Sequence, residues 1–140
     1  MKCVIDASFV ASLFLPDEAS ASDRIADEMA RDSAAAPSLL QLEMTNILLM
    51  ARRRKRISGV QLGQLSEAFD QLPVTLHPLS PQQRSTVLRL AEKHGLTAYD
   101  AAYLELAMRL SLPLASLDKP LLKAATAEGV ASAIKSLETP

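Results

Sequence analysis

Four carboxylates stand apart from the other acids of this chain because each is set among apolar residues: Val4-Ile5-Asp6-Ala7, Leu42-Glu43-Met44, Tyr99-Asp100-Ala101-Ala102 and Ser116-Leu117-Asp118. Carboxylates are rarely buried without partners. Like charges brought close raise one another's pKa unless a cation neutralises them. Oxygen ligands with no accompanying cysteine or histidine set select a hard cation, so the chemistry in view is binding of Mg²⁺ or Mn²⁺. The remaining acids, such as Asp17, Glu18, Asp23, Asp27, Asp32, Glu67 and Asp70, lie on amphipathic or linking segments where water expects them. Glu105 is five positions after Asp100, about 140° further round a helix, and so faces away from it.

Each acid also has a bland alternative. Asp118 before Lys119-Pro120 has the form of a helix N-cap, Asp100 that of a first-turn acid favoured by the helix dipole, and Asp6 that of a turn residue. Glu43 has the weakest such alternative, since a mid-helix acid in apolar company needs a partner. Polar neighbours accompany the set: Ser8 two residues after Asp6, Asn46 three after Glu43 on the same helix side, and Thr97 and Ser116 just before two of the acids. Thr97 and Ser116 read as readily as ordinary cap and turn residues.

The elements that must position these groups follow from local signals. Lys2 to Asp6 reads as a buried strand, Ser8 as the cap of a helix to Leu15 that Pro16 ends, and Glu18 to Arg31 as a second helix with an acidic face. Ala34 to Ala36 is a short strand. Pro37-Ser38 opens a helix from Leu39 to about Arg54, expected to be largely buried because Leu39, Leu42, Ile47 and Leu49 spread apolar surface round it. Ser58 caps a helix to about Gln71, and Val74 to Leu76 is a third strand. Ser80-Pro81 starts a helix that ends at His94-Gly95. Thr97 caps a helix to Leu110, Pro113 to Ser116 is a fourth strand, Lys119 to Ala127 is helical, and the tail from Val130 is a candidate edge strand. Short apolar strands alternating with helices give parallel crossovers and an α/β/α sandwich. In such a sheet Asp6 and Asp118 follow strands at the carboxyl edge, where open α/β sheets bind ligands. Glu43 lies one turn into its helix and Asp100 in the first turn of its own, and a helix that follows a parallel strand starts at that edge.

The 140 residues, 49% of them hydrophobic, suffice for one core and one domain over 1–140. The formal net charge is -1, but Arg52, Arg53, Arg54, Lys55 and Arg56 hold five of the 15 Lys and Arg, leaving 10 against 16 acids elsewhere. The longest stretch free of charge, Gln71 to Gln83, is broken by Pro73, Pro78 and Pro81, which excludes a membrane span. Met1-Lys2 leads directly into an apolar run stopped by Asp6, without signal-peptide architecture, and Cys3 is the only cysteine. A cytoplasmic protein without disulfide or cysteine-rich zinc site is expected.

Read in order, Val4-Ile5-Asp6-Ala7-Ser8, Leu42-Glu43-Met44-Thr45-Asn46, Leu96-Thr97-Ala98-Tyr99-Asp100-Ala101-Ala102-Tyr103 and Leu114-Ala115-Ser116-Leu117-Asp118 resemble the PIN domain, specifically its VapC-type ribonuclease toxins. The resemblance covers nearly the whole chain. It implies a PIN-like α/β/α sandwich with a central parallel sheet of four or five short strands. It further implies an Mg²⁺- or Mn²⁺-dependent endoribonuclease whose catalytic and metal-binding acids are Asp6, Glu43, Asp100 and Asp118, supported by Ser8 and Asn46. A cognate VapB-type antitoxin and a homodimer are the implied partners. The chain departs from some relatives at Ser116, where they carry threonine, and from some at Pro120, where they carry another acid.

An acidic pocket repels RNA until metal binds, so separate basic groups must hold the backbone. Arg52, Arg53, Arg54, Lys55 and Arg56 are the candidates. Five helical residues span about 400° and cannot all face one ligand, and a helix C-terminus with solvated cations explains the run equally well. The rival functions are fewer. A phosphatase using an aspartate nucleophile wants a second acid where Ser8 stands. A non-enzymatic nucleic-acid or protein-binding module built on residues 52–56 leaves the embedded acids unexplained. A nucleotide-binding domain lacks its glycine-rich loop, since Gly59 and Gly63 fall in a helix and only Gly95 and Gly129 remain. His77 and His94 read as a strand exit and a helix end; Tyr99 and Tyr103 flank Asp100 where they could stack on a base, but their helical spacing reads more readily as core or dimer contacts.

Overall fold

The computed structural model describes residues 1–15 and 32–134. Its elements are β1 (Val4–Ile5), α1 (Ala7–Phe14), β2 (Ala34–Pro37), α2 (Leu40–Arg53), α3 (Gly59–Asp70), β3 (Val74–His77), α4 (Pro81–His94), α5 (Ala98–Leu110), β4 (Leu114–Ala115) and α6 (Lys119–Ala127). The expected helix over Glu18 to Arg31 falls outside the described residues. The four strands form one sheet in the order β3-β2-β1-β4, and every pairing is parallel. The tail adds one parallel bridge, Ser132 to Leu114, in place of an edge strand.

This order has a functional consequence. The chain steps outward from β1 through β2 to β3 and then returns to place β4 on the other side of β1. The reversal makes the crevice between β1 and β4 a topological switch point. Right-handed crossovers put α1, α2 and α3 on one face and α4 and α5 on the other. The packing agrees: α1 lies on α2 and α2 on α3, while α5 lies across β1, β2 and β4 and contacts α4 and α6.

Short strands suffice at the centre of the sheet because β1, β2 and β4 are wholly buried, while β3 at the edge is only partly so. Val4, Ile5, Ala34, Ala35, Ala36, Leu114 and Ala115 are closed to solvent, and the small alanines of β2 let α5 sit close above the sheet. Residues 101–107 of α5 are all buried, Glu105 included. The central helix is therefore α5, not α2 as the apolar content suggests. In α2 only Leu40, Met44, Leu48 and Ala51 are buried, a single stripe at helical spacing, and Leu42 is 77% exposed.

Two boundaries also differ from the sequence reading. Pro37 closes β2 opposite His77 instead of opening α2; the Ser38 N–H donates to the His77 carbonyl at 3.0 Å and so extends the ladder past the proline. The cap of α1 is Asp6, whose Oδ1 accepts the Phe9 N–H at 2.9 Å, and Ser8 lies inside the first turn. Helix α1 stops at Phe14 with Leu15 extended, the conformation favoured before a proline. Elsewhere local signals hold. Ser58 and Ser80 form capping boxes with Gln61 and Gln83, Thr97 caps α5, and Gly95 ends α4 at φ 65.

Candidate active site

Asp6 leaves β1 at the switch point and is 4% exposed. Its Oδ1 accepts the Ser8 hydroxyl at 2.7 Å and the Phe9 N–H, and its Oδ2 accepts the Ser116 hydroxyl. Both serines also accept: Ser8 Oγ takes the Leu117 N–H of the opposite turn and Ser116 Oγ the Asp118 N–H of its own, each at 3.0 Å. The β1–α1 and β4–α6 turns are thus sewn together around one carboxylate. Three donors occupy it, and a carboxylate accepts about four, so Oδ2 keeps capacity toward the pocket.

Glu43 sits one turn into α2, half-buried, and its Oε1 accepts the Tyr103 hydroxyl at 2.6 Å. This bond ties α2 to α5. Asp100 lies in the first turn of α5, its N–H donating to Thr97 Oγ1 at 3.1 Å. Asp118 caps α6 by accepting the Leu121 N–H at 3.3 Å. The bland readings of Asp100 and Asp118 are therefore accurate descriptions of local structure. They do not exhaust what these acids do.

Their electrostatics bring the four together. Burial pushes Asp6 above the ordinary carboxylate range against the hydrogen bonds of Ser116, Phe9 and Ser8, and the charge of Asp100 pushes the same way. Burial raises Glu43, the Tyr103 hydrogen bond opposes the rise, and Asp100 and Asp6 add repulsion. Burial raises Asp100, joined by repulsion from Asp118. Burial and the surrounding carboxylates push the Tyr103 phenol far upward, so it is a fixed donor. Among the described residues, the charged groups that shift these carboxylates are other carboxylates and never a cation.

The supporting residues divide. Ser8 is in the pocket. Ser116 is as well, fully buried and bonded to Asp6, which its ordinary turn reading understates. Asn46 is exposed on α2, one turn beyond Glu43. What sequence reasoning missed at Tyr103 is its bond to Glu43; the three-residue spacing from Asp100, which puts both on one side of α5, is the signal that places it at the pocket. Glu105, buried to the same 4%, is held on the other side by Arg109, with contacts of 2.9 and 3.1 Å.

The basic run lies elsewhere. Only Arg52 and Arg53 are helical, Arg54 ends α2, and Lys55 turns the chain with φ 62. All five side chains are exposed, and Arg52 folds over the start of α3 at Gly59. Ten residues separate Arg53 from Glu43, or about 15 Å along the helix.

Among the described residues no three carboxylate, imidazole or thiolate groups are gathered tightly enough to grip one ion as they stand. Glu43 gives one oxygen to Tyr103 and Asp118 one to its own helix. The donor chemistry, carboxylates crowded without a counter-charge, still suits a hard divalent cation. Among the described residues no helix is long and apolar enough to cross a membrane.

Comparison with known proteins agrees with this geometry. The sequence matches the PIN domain family over residues 3–127. It is 34% identical over 125 residues to Ribonuclease VapC3 of Pyrobaculum aerophilum, spanning 86% of this chain and 92% of that one. It is 32% identical over 135 residues to Ribonuclease VapC1 of Mycobacterium tuberculosis, spanning 96% of each. Two crystal structures share the fold. PAE2754 from Pyrobaculum aerophilum superposes with a TM-score of 0.66 at 24% identity, over 98% of this chain and 93% of that one. FitAcB from Neisseria gonorrhoeae gives 0.67 at 16% identity, over 93% and 95%.

Proposed function

This chain belongs to the PIN domain family, and on that premise we propose that it is a metal-dependent endoribonuclease, the toxin of a VapBC-type toxin-antitoxin pair. The relatives named ribonucleases support the activity. The observation that carries the reading is the crowding of Asp6, Glu43, Asp100 and Asp118 at the switch point, where burial and then neighbouring acids raise the pKa of the first three with no cation among the groups that shift them. A protein gains nothing in stability from such a cluster unless something positive enters it.

Asp6, Glu43, Asp100 and Asp118 would hold Mg²⁺ or Mn²⁺. Bound there, the ion supplies Lewis-acid polarisation of the scissile phosphate and a water activated near neutral pH. The chain's own residues position it. Ser8 and Ser116 fix both oxygens of Asp6, and Tyr103 donates to Glu43, aiming it and opposing the rise in its pKa. Asp100 and Asp118 complete the negative charge from α5 and α6. None of these acids needs to move a proton; their work is to fix charge where the substrate is itself anionic. Asn46, exposed beside Glu43, would meet substrate at the rim. The run Arg52 to Arg56 would reach only RNA that extends well beyond the pocket, and its place at a helix C-terminus favours cations on dipole grounds alone. The full reading is a cytoplasmic single-domain homodimer, held inactive by a VapB-type antitoxin.

The test is cleavage of total cellular RNA by purified protein in EDTA, Mg²⁺ or Mn²⁺, beside Asp6→Asn. Discrete fragments that need metal and vanish in the variant are expected. No cleavage, with no thermal shift on adding either metal, overturns the reading in favour of a binding module.

A further inference from the structure

A second charged feature borders the acids. Between the last turn of α4 and the exposed side of α6 runs a cleft of about 630 Å³ lined by Lys93, His94, Lys119, Pro120 and Lys123, reaching to Ala127. Lys119 directly follows Asp118, so the cleft begins beside the fourth acid. Lys119, Lys123 and Ala127 are four residues apart and share one face of α6, which carries the cleft about 12 Å away from the pocket.

The charges in this cleft are unequal. Glu128 neutralises the α4 wall, contacting Lys93 Nζ at 2.8 Å and His94 Nε2 at 2.6 Å. Lys119 and Lys123 have no carboxylate partner among the described residues, and both are exposed. Lys119 is also the first residue of α6, whose first turn holds no acid. The helix dipole disfavours a cation there. Local stability therefore does not explain a lysine at this position, whereas it does explain arginines at the end of α2.

We propose that this cleft binds the phosphodiester backbone of single-stranded RNA on one side of the scissile bond, with Lys119 and Lys123 as the phosphate contacts. The inference rests on the ribonuclease reading for the identity of its ligand and assigns the path by which that ligand leaves the acids. A flexible polyanion fits better than a folded partner: the feature is an open cleft with point charges along one wall, and its Lys119 directly follows the fourth acid of a pocket that by itself repels RNA.

The test measures binding of a fluorescein-labelled single-stranded RNA 12-mer by anisotropy in EDTA, across a salt series, for the wild type, for Lys119→Ala/Lys123→Ala and for Arg84→Ala as a control that removes a positive charge outside the cleft. Each single-strand phosphate contact contributes about 0.7 to the slope of log K against log salt. The double variant is expected to lower that slope by about 1.4 and to weaken binding about twentyfold at 0.1 M salt, with Arg84→Ala unchanged. An unaltered slope in the double variant overturns the inference. So does loss of poly-glutamate binding with RNA binding intact, which would assign the cleft to an acidic protein segment. Cleavage of the same RNA with Mg²⁺ is followed in parallel. A wild type that cuts normally while the slope is unaltered sinks the cleft and keeps the ribonuclease. A cleft-dependent slope in a protein that never cuts does the reverse.

Discussion

Asp6 and Glu105 are buried to the same extent, 4% exposed each, and the protein treats their charges in opposite ways. Glu105 on α5 is met by the guanidinium of Arg109 one turn later, with two hydrogen bonds to its two oxygens. Asp6 receives two hydroxyls and one N–H but no positive charge, and the charged group that shifts it is another acid, Asp100. The chain can therefore neutralise a buried carboxylate with an arginine at helical spacing and does so 99 positions away from Asp6. At the sheet edge it leaves the charge open. Burial alone identifies both acids as unusual, but only the missing counter-charge separates a site from a structural ion pair.

The sharpest way to break this contrast is to neutralise each acid in turn. Asp6→Asn is expected to reduce RNA cleavage by at least about a hundredfold while leaving the melting temperature in EDTA unchanged or higher. Asparagine still caps α1, and the desolvated charge is gone. Glu105→Gln should do the opposite: cleavage per folded molecule persists, and stability falls by about 1–3 kcal/mol because Arg109 loses its ionic partner. Paired urea melts and cleavage rates decide it. Equal stability losses in the two variants would make Asp6 a structural residue after all.

Acid titration sharpens the same comparison. The pKa values of Asp6, Glu43 and Asp100 are raised in the folded protein. The native state therefore holds these protons more tightly than the unfolded chain, and the associated stability is present below the ordinary values of 3.8 and 4.5 and lost as pH rises through the folded values. Asp32 and Glu128 are lowered and act in the opposite sense, losing their contribution as pH falls through their folded values. In EDTA, the melting temperature of the wild type should decline as pH is raised from about 4.5 towards neutrality relative to Asp6→Asn. Mg²⁺ should remove that difference at pH 7 and have little effect at pH 4.5. Parallel pH curves for the two proteins would show that burial does not strain Asp6.

The sequence made the local part of this architecture legible and left the long-range part dark. Ser58, Ser80-Pro81, Thr97 and Gly95 mark helix ends correctly because a cap bonds within three or four residues and carries its own chemistry. The four acids were legible because apolar neighbours around a carboxylate are a local fact too. The burial of α5 in place of α2 was not, since it depends on which helix the sheet receives; Leu42 and Leu49 look like core until packing leaves them outside. Ser8 and Asp6 are both good capping residues two positions apart, so only the backbone could choose between them. Ser116 and Tyr103 draw their roles from partners 110 and 60 residues away. No spacing rule within one element reaches that far, and the same is true of the lysines of α6, whose cleft needs α4 as its second wall.

The smallest effect distinguishes positioning from charge. Tyr103 donates to Glu43 and holds its pKa down against burial and repulsion. Tyr103→Phe keeps the ring in the core and removes only that donor, so the stability loss should stay near 1 kcal/mol. With the hydrogen bond gone, the Glu43 pKa must rise further, because the opposing influences all raise it. A larger fraction of Glu43 is then protonated at a given pH. The acid limb of the cleavage rate profile should shift to higher pH, with a loss of only a few-fold on the alkaline side of that limb, where Glu43 ionises regardless. A Glu43→Gln variant, which has no carboxylate to titrate, should lack this shift and show a loss at every pH. If Tyr103→Phe instead lowers the rate uniformly without moving the acid limb, the tyrosine orients the site without tuning the charge of Glu43.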